Sequence, residues 1–66
     1  MHNYRLVRKG ALVEIFIDGC ASGKTVSANQ RNELRNWFAD RELSEAEVDS
    51  MVHELYITNA VSFNGN

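Results

Sequence analysis

Polar and apolar positions alternate with a period of two over the first part of the chain. Tyr4, Leu6 and Arg8 interleave with Arg5, Val7 and Lys9, which is the pattern of a strand over residues 3–9. Gly10 interrupts it. Residues 11–18 (ALVEIFID) are rich in β-branched and aromatic side chains, with Val13, Ile15 and Ile17 on one face and Leu12, Glu14 and Phe16 on the other. Two strands meeting at Gly10 predict a hairpin whose Val13–Ile15–Ile17 face is core. Leu12 and Phe16, and Tyr4 with them, are expected on the outer face, partly exposed or covered by something else. Residues 19–23 are small and are expected to form a turn. Residues 24–28 (KTVSA) resume an extended pattern around Val26, completing a three-stranded antiparallel meander.

The period then changes to that of helices. Ser27 with Gln30 fits a capping box, Asn29 being an equally good cap, and the helix beginning there runs to about Ala39. It sets Gln30, Leu34, Trp37 and Phe38 on one side, so Trp37 is expected to be buried against the sheet with Leu34, Phe38, Val52 and Leu55. A second capping box, Ser44-Glu45-Ala46-Glu47, carries a hydrophobic staple, Leu43 before the cap and Val48 after it. Glu45, Glu47 and Asp49 suit the positive end of that helix, and Val48, Met51, Val52 and Leu55 form its apolar stripe. Residues 58–63 (TNAVSF) leave room for a fourth strand or a packed tail, and residues 64–66 are expected to fray. The fold class is therefore α+β: one domain over residues 1–66, an antiparallel sheet covered on one face by two helices.

Composition narrows the function classes. A chain of 66 residues buries only about 60% of the surface its unfolded form exposes, which leaves one small core. A lone cysteine, Cys20, allows no intrachain disulfide and points to a reducing compartment. No apolar run of about 18 residues is present, and the charged, alternating N-terminus lacks the apolar stretch of a signal peptide. A cytoplasmic protein with no membrane association is expected.

Charge is unevenly distributed. The first 39 residues carry six basic and three acidic side chains (+3), and the last 27 carry one basic and six acidic (−5). Such a dipolar chain says more about how a partner is met than about fold.

Motifs that resemble chemistry do not hold up. Between Gly19 and Gly23-Lys24-Thr25 there are three residues where a phosphate-binding loop needs four, and the residues after Thr25 read as strand rather than helix. The capped second helix resembles the entry to a calcium loop, but Tyr56-Ile-Thr-Asn-Ala-Val supplies no ligands. His2 and His53 have no second ligand at metal spacing, and no nucleophile, base and orienting group fall together. Two successive helices raise helix-turn-helix DNA binding, but the second carries four acids and no Lys or Arg. No enzyme, cofactor or metal is expected. The candidate partner-binding residues are instead Tyr4, Leu12 and Phe16 as anchors on the outer sheet face, with Glu45, Asp49 and Glu54 as an acidic patch that would meet a basic surface.

One segment resembles a known family. Ser22-Gly23-Lys24-Thr25-Val26-Ser27-Ala28, followed by Glu33-Leu34-Arg35-Asn36-Trp37-Phe38, is similar to the hairpin-to-helix segment of small phage-encoded type I-F anti-CRISPR proteins, where a Gly-Lys-Ser-Val strand leads to a helix bearing Glu-Leu-x-x-Trp-Phe. The resemblance covers about a quarter of the chain. It implies a small antiparallel sheet with two helices, and a viral inhibitor that blocks a CRISPR surveillance complex by binding its protein subunits in the host cytoplasm. That family's contacts lie mainly in an earlier tyrosine-rich strand region, of which residues 1–14 offer only Tyr4, so no binding residue carries over. The alternatives are a nucleic-acid-associated regulator using the basic half, and an accessory subunit whose sheet face is covered by a partner or by a second copy in a homodimer.

Overall fold

The computed structural model describes residues 2–41 and 43–64. It contains the strands β1 (Asn3–Lys9), β2 (Leu12–Ile17) and β3 (Cys20–Ser27), the helices α1 (Arg31–Ala39) and α2 (Glu45–Thr58), and a C-terminal strand β4 (Ala60–Asn64). All four strands lie in one antiparallel sheet of order β3-β2-β1-β4. The fourth strand is thus formed, and Asn64, expected to fray, is its last residue, opposite Asn3. Gly65 and Asn66 lie outside the described residues.

Two tight turns set the register. Gly10 has φ +60 while Ala11 does not enter positive φ, the pattern of a type II′ hairpin that places Lys9 opposite Leu12. Asp18 (φ 51) and Gly19 (φ 84) both lie in the left-handed region, as a type I′ turn requires, and Ile17 pairs with Cys20. The turn expected over residues 19–23 is therefore only its first residue together with Asp18. Residues 20–23 belong to β3. They carry an irregularity in which residues 22–24 stand opposite Ile15, between the pairs Glu14–Thr25 and Phe16–Ala21. Ser22 holds that bulge: its hydroxyl donates to the Ile15 carbonyl (2.6 Å) and accepts from the Lys24 N–H (3.2 Å).

Alternation then decides which side chains meet the helices. Tyr4, Leu6, Val13, Ile15 and Val26 point to one face and are buried, with Ile17, Val61 and Phe63 packed beside them. Leu34 and Phe38 of α1, Leu43, and Val48, Met51, Val52 and Leu55 of α2 close the core from above. Trp37 is a correction. It packs at the margin of the core, half-buried, with its ring edge-on to Phe38 (4.8 Å) and the Arg41 guanidinium 3.8 Å from its ring centre.

The helix ends differ in kind. The capping box expected at Ser27 is absent: Ser27 ends β3, and α1 starts from Gln30 with no side-chain cap. At α2 the box is complete. Ser44 Oγ accepts from the Glu47 N–H (3.3 Å), and Glu47 Oε1 accepts from the Ser44 N–H (3.1 Å). Both staple residues, Leu43 and Val48, are buried. Ser44→Ala is accordingly expected to lower stability by about 0.5–2 kcal/mol. An unchanged denaturant midpoint would contradict that role. Asn59 ends α2 in the left-handed conformation (φ 64), and its carbonyl accepts from the Arg8 N–H (2.8 Å), so the chain passes directly into β4.

Candidate functional site

Both helices pack on the same side of the sheet, so its other side is bare. There Arg5, Val7 and Lys9 of β1 stand opposite Phe16, Glu14 and Leu12 of β2. A groove of about 420 Å³ crosses this face, lined by Asn3, Arg5, Val7, Lys9, Phe16 and Ser62. Phe16 is half-buried within the sheet surface and Leu12 is 55% exposed at its margin. No carboxylate lines the groove. Lys9 Nζ is 3.6 Å from Glu14 beside it, whereas Arg5 is exposed and makes no hydrogen bond or ion pair with the described residues. A groove that sets the Phe16 ring beside an unpaired guanidinium, with no carboxylate in its lining, is suited to holding a surface that carries carboxylates.

Of the three anchors expected from the sequence, Leu12 and Phe16 are on this face and Tyr4 is not. Tyr4 pairs with Ile17 and Phe63 on the helix side, is 2% exposed, and sets its ring edge-on to Phe38 at 5.2 Å. It borders the groove but presents almost no surface to it. Arg5, which strand period alone did not single out, occupies the place intended for Tyr4.

The acidic residues lie elsewhere, on the helix side of the sheet, so anchors and acids do not form one contiguous site. Glu45 and Glu54 are exposed on α2. Asp49 is engaged within the molecule: Arg35 of α1 donates to its carboxylate from Nε (2.9 Å to Oδ1) and from Nη2 (2.8 Å to each oxygen). This bidentate pair ties α1 to α2, so reversing the charge of Asp49 would disturb helix packing as well as any partner.

The basic half of the chain is similarly dispersed. Arg8 lies on the helix side with its guanidinium 5.1 Å from the Tyr56 ring centre, Lys24 pairs with Glu33 (3.2 Å), and Arg35 is held by Asp49. The Tyr56 hydroxyl donates to the Ala28 carbonyl, which ties α2 to the end of β3.

At the Asp18-Gly19 turn the Asp18 carboxylate accepts from the Asn3 N–H (2.9 Å) and from His2 Nδ1 (2.7 Å). These two donors, the backbone N–H first, hold its carboxyl below the ordinary value of 3.8. Because the folded value is depressed, the stability that Asp18 lends is complete above its ordinary value and is lost as pH falls through the lower one. A carboxyl-carbon titration by NMR should place the Asp18 midpoint below 3.8, and Asp18→Asn should remove that part of the acid response while keeping the left-handed turn. A midpoint at or above the ordinary value would contradict the assignment.

Cys20 is exposed beside this turn, and His53 faces outward from α2. Among the described residues no three His, Cys, Asp or Glu side chains are grouped so as to hold a metal ion, and no helix is long and apolar enough to cross a membrane. Comparison with protein-family models, with curated proteins and with solved structures finds no match for the chain.

Proposed function

We propose that the chain is a non-enzymatic inhibitor that acts by docking its bare sheet face on a protein surface, and that the surface belongs to a bacterial CRISPR surveillance complex. The observation that carries the docking is the groove itself. Phe16 and Leu12 offer apolar anchors, Arg5 offers a free fork of N–H donors, and no acidic side chain lines the floor to repel a carboxylate on the partner. The choice of a defence complex rests on the type I-F anti-CRISPR resemblance over residues 22–38, whose implied layout of a small antiparallel sheet with two helices agrees with the four-stranded sheet and paired helices of this fold.

A second reading draws on the same face, since Arg5 and Lys9 beside an aromatic ring also suit nucleic acid. It is the weaker one. Affinity for a phosphate backbone grows with the number of phosphates neutralised, and only Arg5 and Lys9 serve this face, Lys9 beside Glu14. The other basic residues of β1 and β3, Arg8 and Lys24, are turned to the helix side.

The test sets purified subunits of a type I-F surveillance complex beside a random-sequence duplex. The expected result is a stable protein complex and no gel shift of the duplex. Tight, salt-sensitive duplex binding with no protein complex would overturn the inhibitor reading and establish the regulator.

A further inference from the structure

The sheet has two free edges among the described residues, and only one of them is blunted. The outer edge of β3 is interrupted by the bulge at residues 22–24, which includes Lys24, and bulges and lysines are common means of discouraging an added strand. The outer edge of β4 has neither. Its sequence, Ala-Val-Ser-Phe-Asn, contains no charge, Pro or Gly, and its pairing with β1 runs without a register shift.

Antiparallel partners alternate between residues that exchange ladder bonds and residues that do not. Arg8 N–H bonds to Asn59 O, so Leu6–Val61 and Tyr4–Phe63 are the bonded pairs, and Ala60, Ser62 and Asn64 turn their backbone groups outward. The Ala60 carbonyl already accepts from the Thr58 hydroxyl (2.6 Å). Ser62, in the middle, thus presents both its N–H and its C=O to the open side.

Beside that edge, on the helix side, lies a second groove of about 230 Å³ between α2 and β4, with Met51, Val61 and Phe63 as its apolar lining and Glu54 at its rim. The Glu54 carboxylate has no partner among the described residues. The whole of α2 carries no Lys or Arg, and the negative end of its dipole points to the start of β4. Of the residues that line this groove, Glu54 alone is charged.

We infer that β4 is a strand-addition site for an extended segment of a partner polypeptide that places apolar residues on the groove and a Lys or Arg against Glu54. A second copy of this chain fits less well. Antiparallel pairing of two β4 edges about Ser62 would set two α2 helices side by side on one face of a continuous sheet, each acidic. This edge adjoins the bare face and shares Ser62 with its groove, but strand addition to it does not rest on the inhibitor role.

The probe is the acetylated, amidated heptapeptide Thr-Val-Thr-Lys-Thr-Val-Thr, with a counter-probe in which Glu replaces Lys, titrated into the labelled protein by NMR. The lysine probe should shift the amides of Ala60, Ser62 and Asn64 and slow their exchange, and should bind about fivefold more tightly than the glutamate probe. Glu54→Lys should reverse that preference. Because a chain of 66 residues is accessible to total synthesis, Ser62 can be N-methylated, which removes the outward donor without touching the β1 ladder and should abolish binding while the fold survives. Shifts centred on Arg5 and Phe16, a preference unaltered by Glu54→Lys, or no shifts at millimolar probe would each overturn the inference. So would concentration-dependent dimerisation of the protein alone that is abolished by N-methyl-Ser62.

Discussion

Phe38→Ala is expected to cost about 3–5 kcal/mol, much of the stability a domain of this size possesses. The ring is fully buried, meets Tyr4 edge-on at 5.2 Å and Trp37 at 4.8 Å, and lies where α1 closes over the sheet. Removing it opens a cavity between the two layers, and a small core has little with which to refill it. Trp37→Ala should cost less, on the order of 1–2 kcal/mol, because it gives up marginal packing and a cation–π contact with the exposed Arg41. Urea melts of both variants check the ordering. A larger loss at Trp37 than at Phe38 would contradict this account of the core.

The second large effect is on association. Phe16→Ala should weaken binding to the partner by 2 kcal/mol or more, roughly 30-fold, as truncation of a central aromatic anchor does. Arg5→Glu should act in the same direction and also raise repulsion with the partner's carboxylates, slowing association most at low salt. Neither residue belongs to the core, Arg5 being exposed and Phe16 half-buried on the bare face, so thermal melts should stay near those of the parent. Binding retained by both variants would place the contact elsewhere.

Much of the fold was legible because its signals were local. The period-two runs gave β1 and β2, and Ser44 with Glu47 marked the start of α2 to the residue. What failed was the choice of the core face for β1. Alternation sorts Tyr4 and Leu6 from Arg5 and Val7 but does not say which set meets the helices, and Arg8, sharing a face with Tyr4, blurs the contrast. The deciding clue was the Gly10-Ala11 turn, since a two-residue loop puts Lys9 opposite Leu12 and therefore Tyr4 opposite Ile17, on the core face.

Asp18-Gly19 was likewise a strong hairpin signal, hidden by a second glycine at Gly23 that serves the bulge (φ 81). Trp37 was misplaced because Leu34 and Phe38 lie four residues apart on one helix line, while Trp37 falls to the side of it. The candidate site was half legible. Leu12 and Phe16 follow from strand period alone, whereas the pairing of Asp49 with Arg35 brings together two helices and could not be read from either. Arg5 gained its place only once Arg8, Lys24 and Arg35 were seen to be engaged with Tyr56, Glu33 and Asp49.

The claim that the bare sheet face is the docking surface is tested most directly by the double variant Arg5→Glu/Phe16→Ala. Its affinity for a purified type I-F surveillance complex would be measured by biolayer interferometry beside the parent chain, after circular dichroism has shown that the two share a fold. The account predicts measurable binding by the parent and a loss of at least about 100-fold in the double variant. Equal affinity of parent and variant for the complex would contradict it.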